Sequence, residues 1–173
     1  MELEALGFKV FKGPSTQEEQ AMRDFGISVQ KAKAVVIAFD HEINYIKIAM
    51  AQRILTDPDC LFIATNDDHS YPGLDGFYPG TGTFVAAVKT CSEREPIVIG
   101  KPHGPMMDCI KELLGTDQRV CMIGDKLDTD ILFGNNNGIT SILVETGVHT
   151  ESDVLKLKIE PSHCIAAFPC IYD

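Results

Sequence analysis

Short apolar runs separated by segments with helical spacing constrain the fold of this chain more than any other feature. The runs are Ala34–Phe39, Cys60–Ala64, Ile97–Ile99, Val120–Ile123 and Ser141–Val144. Runs of this kind, bounded by polar and turn residues, are typical of buried strands. Helices are predicted over Glu42–Leu55, Thr83–Cys91, Met106–Leu114 and Thr129–Asn135, a loop over Thr65–Gly82, and a less regular tail after Glu151. Strands that alternate with helices predict an α/β fold with parallel strands.

Composition limits the class of protein. Apolar residues make up 45% and charged residues 23% of the chain, which is the balance of a folded globular protein. The net charge of −10 argues against nucleic acid and membrane surfaces as partners, because both attract clustered Lys and Arg. No apolar run approaches the ~20 residues that span a bilayer, and the first residues do not have the layout of a signal peptide. The sequence therefore predicts a cytoplasmic protein. Its six cysteines contain no C-x-x-C pair and are interpreted as reduced core thiols.

A cluster of carboxylates follows the predicted strand Val120–Ile123. Asp125 comes directly after the strand and Gly124, and Asp128 and Asp130 lie within the next five positions. The carboxyl ends of parallel strands are where open α/β sheets bind ligands, and carboxylate oxygens suit hard divalent cations. Helix capping is the alternative for Asp128, as an N-cap, and for Asp130, in the first turn. Capping does not account for Asp125, so the pattern favours a metal site at this strand end.

A lysine follows the predicted strand Ile97–Ile99, in the run Gly100-Lys101-Pro102. Taken alone, Lys101 is most simply a solvated lysine at a strand end. Together with Asp125 it gains a second interpretation, because the carboxyl ends of parallel strands meet at one edge of a sheet. We expect both side chains at that edge, converging on one cleft. A cation beside a carboxylate cluster is suited to an anion plus a divalent metal, as in a bound phosphate ester.

Taken together, these motifs resemble the haloacid dehalogenase superfamily of phosphatases. The matching stretches are GKP (100–102), GDKLDTDILFG (124–134) and GITSILVETGV (138–148). Two further stretches, ATNDD (64–68) and PGTG (79–82), look like the branch that holds para-nitrophenyl phosphatase, phosphoglycolate phosphatase and pyridoxal phosphatase. The resemblance implies a large inserted α/β cap domain over residues 1–95. It also implies the C-terminal half of a Rossmann-like catalytic core over residues 96–173.

The resemblance also implies roles for individual residues. Lys101 would neutralise the nucleophile and the substrate phosphate, Asp125 would bind Mg²⁺, and Asp130 would steady the metal's waters and the lysine. Tyr71 lies in the loop that dips from the cap over the active site in this family and is implied to contact the substrate. The expected substrate is a small phosphorylated metabolite such as phosphoglycolate, pyridoxal phosphate or an aryl phosphate, and a homodimer would form through the cap.

One element of the family pattern has no match in the sequence. The family's nucleophile is an aspartate in a D-x-D-G-[TV] motif on the first core strand, so the chain is expected to begin after it and to be inactive alone. A catalytically silent binding or interaction module is one alternative. Another is a minimal phosphatase in which Asp40 is the nucleophile and Thr65, Lys101 and Asp125 complete the set. Against it, no Gly-Thr follows Glu42, and the segment continues at once as a predicted helix.

Overall fold

The computed structural model of the chain describes residues 2–14, 31–115 and 118–168. Its helices are α1 (Glu2–Ala5), α2 (Tyr45–Ile54), α3 (Thr81–Ser92), α4 (Pro105–Leu114), α5 (Leu132–Asn136) and α6 (Glu151–Leu157), and a π-helical turn over Leu127–Ile131 leads into α5. Its strands are β1 (Ala34–Ile37), β2 (Leu61–Ala64), β3 (Ser70–Gly73), β4 (Gly76–Pro79), β5 (Ile97–Val98), β6 (Cys121–Gly124), β7 (Thr140–Val144) and β8 (His163–Ile165). The predicted α/β fold is confirmed. No helix in these ranges is long and apolar enough to cross a membrane.

The chain divides into two compact units, Met1–Ile97 and Val98–Asp173. The first unit contains a three-stranded sheet of order β1-β2-β5, in which β1 and β2 are parallel. Alternate residues of β1 and β2 are buried, and α2 packs against α3 beside them. Helix α2 begins later than the predicted Glu42 because the side chain of Asn44 accepts a hydrogen bond from Lys47 N and caps it.

The segment predicted as a loop over Thr65–Gly82 contains a β-hairpin, so that prediction is wrong. Strands β3 and β4 pair antiparallel, and Leu74-Asp75 connects the paired Gly73 and Gly76. An Asp-Gly pair at a tight connection is a known hairpin signal, and Gly76 has the positive φ (143°) that favours glycine. Tyr71 opposes Tyr78 across the pair and stacks on it, which adds a stabilising cross-strand contact.

The second unit is built on a parallel sheet of order β6-β7-β8. Its buried centre contains Leu127, Ile131 and Leu143, against which side chains from the tail pack. The tail itself was predicted to be less regular, and this is wrong for residues 151–165. Helix α6 begins with a capping box in which Thr150 and Asp153 exchange hydrogen bonds, and β8 then extends the sheet. The spacing Thr-x-x-Asp was the sequence signal for that helix.

The cysteines differ in their surroundings. The described cysteines are all free thiols, and Cys60 is buried in the first unit as expected. Cys109, Cys121 and Cys164 are exposed, so the core-thiol interpretation is wrong for them. Cys121 shows the reason: it starts strand β6, and only the later residues of that strand are partly covered. Cys170 lies outside the described residues.

Candidate functional site

Lys101 and Asp130 form a direct ion pair in the second unit. Lys101 Nζ donates a hydrogen bond to Asp130 Oδ1 at 2.6 Å. The two side chains differ in exposure, 8% for Asp130 against 36% for Lys101. The other oxygen of Asp130, Oδ2, accepts a hydrogen bond from Lys126 N at 3.2 Å. An ammonium group has three donors, so Lys101 keeps donors for a further anionic partner while Asp130 holds it in place.

The local sequence explains how Asp130 reaches this position. Strand β6 ends at Gly124, and the π-helical turn Leu127–Ile131 brings Asp130 back over the strand end. A Cβ atom on Gly124 would overlap the Asp130 carboxylate, so only glycine allows this approach. The N-cap position of the turn is Lys126, which makes no side-chain cap. The alternative in which Asp128 is the N-cap is therefore wrong, because the helix begins at Leu127, one residue before it.

Lys101 reaches the site from a turn rather than from the expected sheet. Strand β5 belongs to the sheet β1-β2-β5, whereas β6 belongs to the sheet β6-β7-β8. The prediction that Lys101 and Asp125 share the edge of one sheet is therefore wrong. Strand β5 ends at Val98, and the chain turns immediately, with His103 N donating to Gly100 O at 3.1 Å. Lys101 extends from this turn to Asp130.

Asp125 is held by the loop that follows β7. Its Oδ2 accepts a hydrogen bond from Val148 N at 2.8 Å, and its carbonyl oxygen accepts one from His149 N at 3.0 Å. A Cβ atom on Gly147 would overlap the Asp125 carboxylate, so this loop packs closely around it. Asp125 is half-buried, and its Oδ1 has no hydrogen-bond partner in the described parts of the chain. That oxygen can still bind a cation.

The donor set at this site fits Mg²⁺ through a single protein carboxylate. Within residues 2–14, 31–115 and 118–168, no three His, Cys, Asp or Glu side chains lie close enough together to hold a metal. Both oxygens of Asp130 already accept hydrogen bonds, so Asp125 is the better ligand. Mg²⁺ is usually bound by one or two carboxylates and completes its octahedron with water and phosphate oxygens. Asp125 Oδ1 meets that requirement.

Both carboxylate oxygens of Asp40, the nucleophile of the alternative assignment, are engaged in local hydrogen bonds. Its Oδ1 accepts a hydrogen bond from Glu42 N at 2.8 Å, and its Oδ2 accepts one from Lys47 Nζ at the same distance. Burial raises the pKa of Asp40, but the hydrogen bonds from Lys47 and Glu42 outweigh it and bring the pKa below the usual 3.8. The Thr65 hydroxyl donates to Asn66 Oδ1. These contacts account for Asp40 as a residue that fixes the turn into α2.

Tyr71 belongs to an aromatic cluster in the first unit. Its ring meets Phe39 edge-on at 5.1 Å between centroids and stacks on Tyr78 at 5.8 Å. Phe39 also contacts His41 edge-on at 4.6 Å and lies 6.1 Å from Phe84. The hydrogen bond that Tyr78 donates to Asp75 raises the pKa of the Tyr78 phenol. Sequence reasoning found Tyr71 alone, because the other rings come from separate elements and share no local spacing.

Several known phosphatases are similar to this chain over most of its length. Residues 98–169 match a family model described as HAD-hydrolase-like. Phosphoglycolate phosphatase 2 of Arabidopsis thaliana is 44% identical over 170 residues, which cover 94% of this chain and 56% of that protein. Glycerol-3-phosphate phosphatase of Gallus gallus is 41% identical over 160 residues, which cover 88% and 51% of the two chains. The solved p-nitrophenyl phosphatase from Archaeoglobus fulgidus is similar at a TM-score of 0.72 and 31% identity, over 79% of this chain and 54% of that one.

These matches confirm the resemblance drawn from the GKP and GDKLDTDILFG motifs. The chain is similar to phosphatases of small phosphate esters, and its residues 98–169 match the model of the haloacid dehalogenase-like hydrolases. It spans about half the length of the relatives it matches.

Proposed function

We propose that the whole protein hydrolyses a small phosphomonoester with Mg²⁺, because residues 98–169 belong to the haloacid dehalogenase-like hydrolases. The observation that carries this proposal is the bond between Lys101 and Asp130. A nearly buried carboxylate fixes an ammonium group that is still partly open to solvent. Such a group is placed to receive an anion, and the Mg²⁺ ligand Asp125 lies one turn earlier in the same strand-to-helix connection.

Lys101 would act on the phosphate by charge. Donors that are fixed before the substrate arrives stabilise the negative charge of phosphoryl oxygens without reorganising during the reaction. Asp130 supplies the fixing contact, and the hydrogen bond from Lys126 N holds Asp130 in turn. By resemblance, the nucleophile comes from a D-x-D-G-[TV] motif, which residues 1–173 do not contain.

Asp125 would hold the metal. Bound Mg²⁺ polarises a phosphoryl oxygen and offsets the charge of the phosphate. Val148 N–H keeps Asp125 Oδ2 occupied, so the free Oδ1 has a fixed direction before a cation binds. The cation therefore meets a carboxylate that has already lost most of its rotational freedom.

Tyr71 is the proposed contact to the non-phosphate part of the substrate. Its ring is fixed by Phe39 and Tyr78, and its hydroxyl makes no hydrogen bond to the described residues. The relatives are named for phosphoglycolate and glycerol 3-phosphate, and the solved structure for a p-nitrophenyl ester. These compounds share a phosphate on a small alcohol or phenol, which defines the substrate class proposed for this protein.

Phosphate release by the whole protein tests the proposal, with p-nitrophenyl phosphate and phosphoglycolate as probes and with and without Mg²⁺. Removing Lys101 with Lys101→Met is expected to lower kcat by about 10²–10³-fold, the usual effect of losing one charge-stabilising donor. Asp125→Asn is expected to raise the Mg²⁺ concentration needed for half activity. Lys156→Met, which breaks an exposed pair in the same unit, is the matched control.

Two results would contradict the proposal. One is hydrolysis that does not depend on Mg²⁺, and the other is a Lys101→Met variant as active as the Lys156→Met control. The 173-residue chain by itself is expected to release phosphate no faster than buffer. Mg²⁺-dependent turnover by that chain, lost on Asp40→Asn, would instead support the alternative in which Asp40 attacks phosphorus.

A further inference from the structure

A histidine without a role in the proposed chemistry connects the two halves of the site. His149 Nδ1 accepts a hydrogen bond from Leu127 N at 3.0 Å. Leu127 is the first residue of the π-helical turn that carries Asp130. The backbone N–H of His149 donates to the carbonyl oxygen of Asp125, also at 3.0 Å. One residue of the loop after β7 thus bonds to both segments that present the carboxylates.

The His149 ring supplies an acceptor for the Leu127 N–H, which has none within the helix. The first N–H groups of a helix lack an acceptor within the helix, and a Ser, Thr, Asp or Asn at the N-cap usually supplies one. Here the N-cap residue is Lys126, which makes no side-chain cap. Leu127 is fully buried, so water cannot easily replace the missing acceptor. The His149 ring is the cap, supplied from a loop distant in sequence.

We propose that His149 is a positioning residue of the phosphate site. Its ring fixes the start of the helix that carries Asp130, and its backbone fixes the strand end that carries Asp125. The helix that carries Asp130 is therefore held through the His149 ring, and the strand end that carries Asp125 through the His149 backbone N–H. Because Nδ1 accepts a hydrogen bond, a neutral ring has its hydrogen on Nε2. The inference deepens the proposed function and depends on it for the kinetic consequence.

The first experiment tests the hydrogen bond by which His149 caps the helix, without any activity measurement. In the 173-residue chain labelled with ¹⁵N, an N–H···N bond from Leu127 to His149 produces a scalar coupling between the two nitrogens. We expect that coupling, together with the ¹⁵N shifts of the Nε2–H tautomer. In His149→Leu the Leu127 amide should exchange with solvent faster than in His149→Asn, whose Oδ1 can take the place of Nδ1. Absence of the coupling in the folded chain, or the opposite tautomer, would overturn the proposal.

The second experiment measures kcat and KM of the whole protein on p-nitrophenyl phosphate over a range of Mg²⁺ concentrations. Loss of one hydrogen bond corresponds to about a tenfold change, so His149→Leu should lower kcat about tenfold and weaken activation by Mg²⁺. His149→Asn should recover most of the loss. His163→Leu, at an exposed position of β8, is the control and should behave like the unmodified protein.

The two experiments separate the two proposals. If the unmodified protein releases no phosphate but the coupling is present, the proposed function is wrong, whereas the helix cap formed by His149 is confirmed. If the protein is active and His149→Leu and His149→Asn are equally impaired, the positioning role is wrong. Equal kcat in all three histidine variants, with a change in thermal stability alone for His149→Leu, would also overturn it, because the ring would then be only structural.

Discussion

Because Lys101 and Asp130 differ in exposure, replacing one should lower the stability of the second unit more than replacing the other. Lys101→Met leaves a carboxylate that is 8% exposed without its cation, whereas Asp130→Asn leaves an ammonium group that is 36% exposed and can turn to water. Removing the exposed member should therefore destabilise the second unit more than neutralising the buried one. A count of lost contacts alone predicts no difference, because Asn keeps an oxygen for Lys126 N–H and each variant then loses only the bond between Lys101 and Asp130.

The magnitudes follow from the contacts. A hydrogen bond to a charged group contributes about 1.5–3 kcal/mol, and stranding a buried charge costs about 3–5 kcal/mol. Because the pair is buried on one side only, we expect Lys101→Met to cost about 3 kcal/mol. Asp130→Asn keeps an oxygen for Lys126 N–H and should cost about 1 kcal/mol, the value of an ordinary hydrogen bond. The difference of about 2 kcal/mol is the quantity to test.

Native-state hydrogen exchange of the Leu143 amide is a suitable assay. Leu143 is fully buried in the core of the second unit, so its exchange reports the free energy of opening that unit even if the first unit unfolds separately. Lys156→Met removes a bond of 2.8 Å to Asp153 in the same unit, but Lys156 is 71% exposed. This control should change the free energy of opening by less than about 0.5 kcal/mol.

A reversed order, in which Asp130→Asn lowers the free energy of opening more than Lys101→Met, would contradict this prediction. A Lys101→Met variant that behaves like the Lys156→Met control would contradict it as well. The double variant Lys101→Met/Asp130→Asn should be more stable than Lys101→Met alone, since it removes the stranded charge. A purely additive double variant would mean that the two side chains do not interact.

Three further predictions concern other parts of the chain. Asp153 should titrate with a pKa of about 2, because the hydrogen bonds from Lys156 and from Thr150 N favour its charged form. The stabilisation of α6 that these bonds provide is present above pH 3.8 and is lost as the pH falls through about 2. In Lys156→Met, ¹³C NMR should show a higher pKa for Asp153. In the 173-residue chain, the amides of β6 should exchange faster than those of β7, because β7 is paired on both sides and β6 only on one within the described sheet, and equal protection would mean that β6 has a second partner. In the whole protein, Tyr71→Ala should alter the ranking of phosphoglycolate against p-nitrophenyl phosphate in kcat/KM, whereas equal losses on both would make Tyr71 structural.

The sequence predicted the elements whose pattern is local. Strands β1, β2, β6 and β7 lie within two residues of their predicted ends, because each is a short apolar run between turn residues. The hairpin β3–β4 was missed because its residues are mostly exposed, so no apolar alternation marks them, and only Asp75-Gly76 signalled the turn. The helix α6 was missed for a similar reason, since none of its residues is buried.

The contact between Lys101 and Asp130 joins two residues that the sequence motifs single out, but the geometry of that contact was not predictable. Motif spacing identified Lys101, Asp125 and Asp130 as a set. It could not show that β5 and β6 belong to different sheets, because strand order depends on pairing partners distant in sequence. His149 was not foreseen, since its contacts with Leu127 and Asp125 span more than twenty residues and follow no helical or strand period.

Two glycines connect the sequence motifs to a single three-dimensional site. Gly124 leaves the space that the Asp130 carboxylate fills, and Gly147 leaves the space around the Asp125 carboxylate. Asp125 follows Gly124 directly, while Gly147 lies in the loop after β7, so each glycine accommodates a carboxylate from a different segment. The GDKLDTD stretch and the TGV stretch are therefore one packing unit, even though they are separated by a helix and a strand. Since neither glycine can accept a Cβ without displacing a carboxylate, the spacing of the two acidic groups is fixed by the absence of side chains as much as by the hydrogen bonds of His149 and Val148.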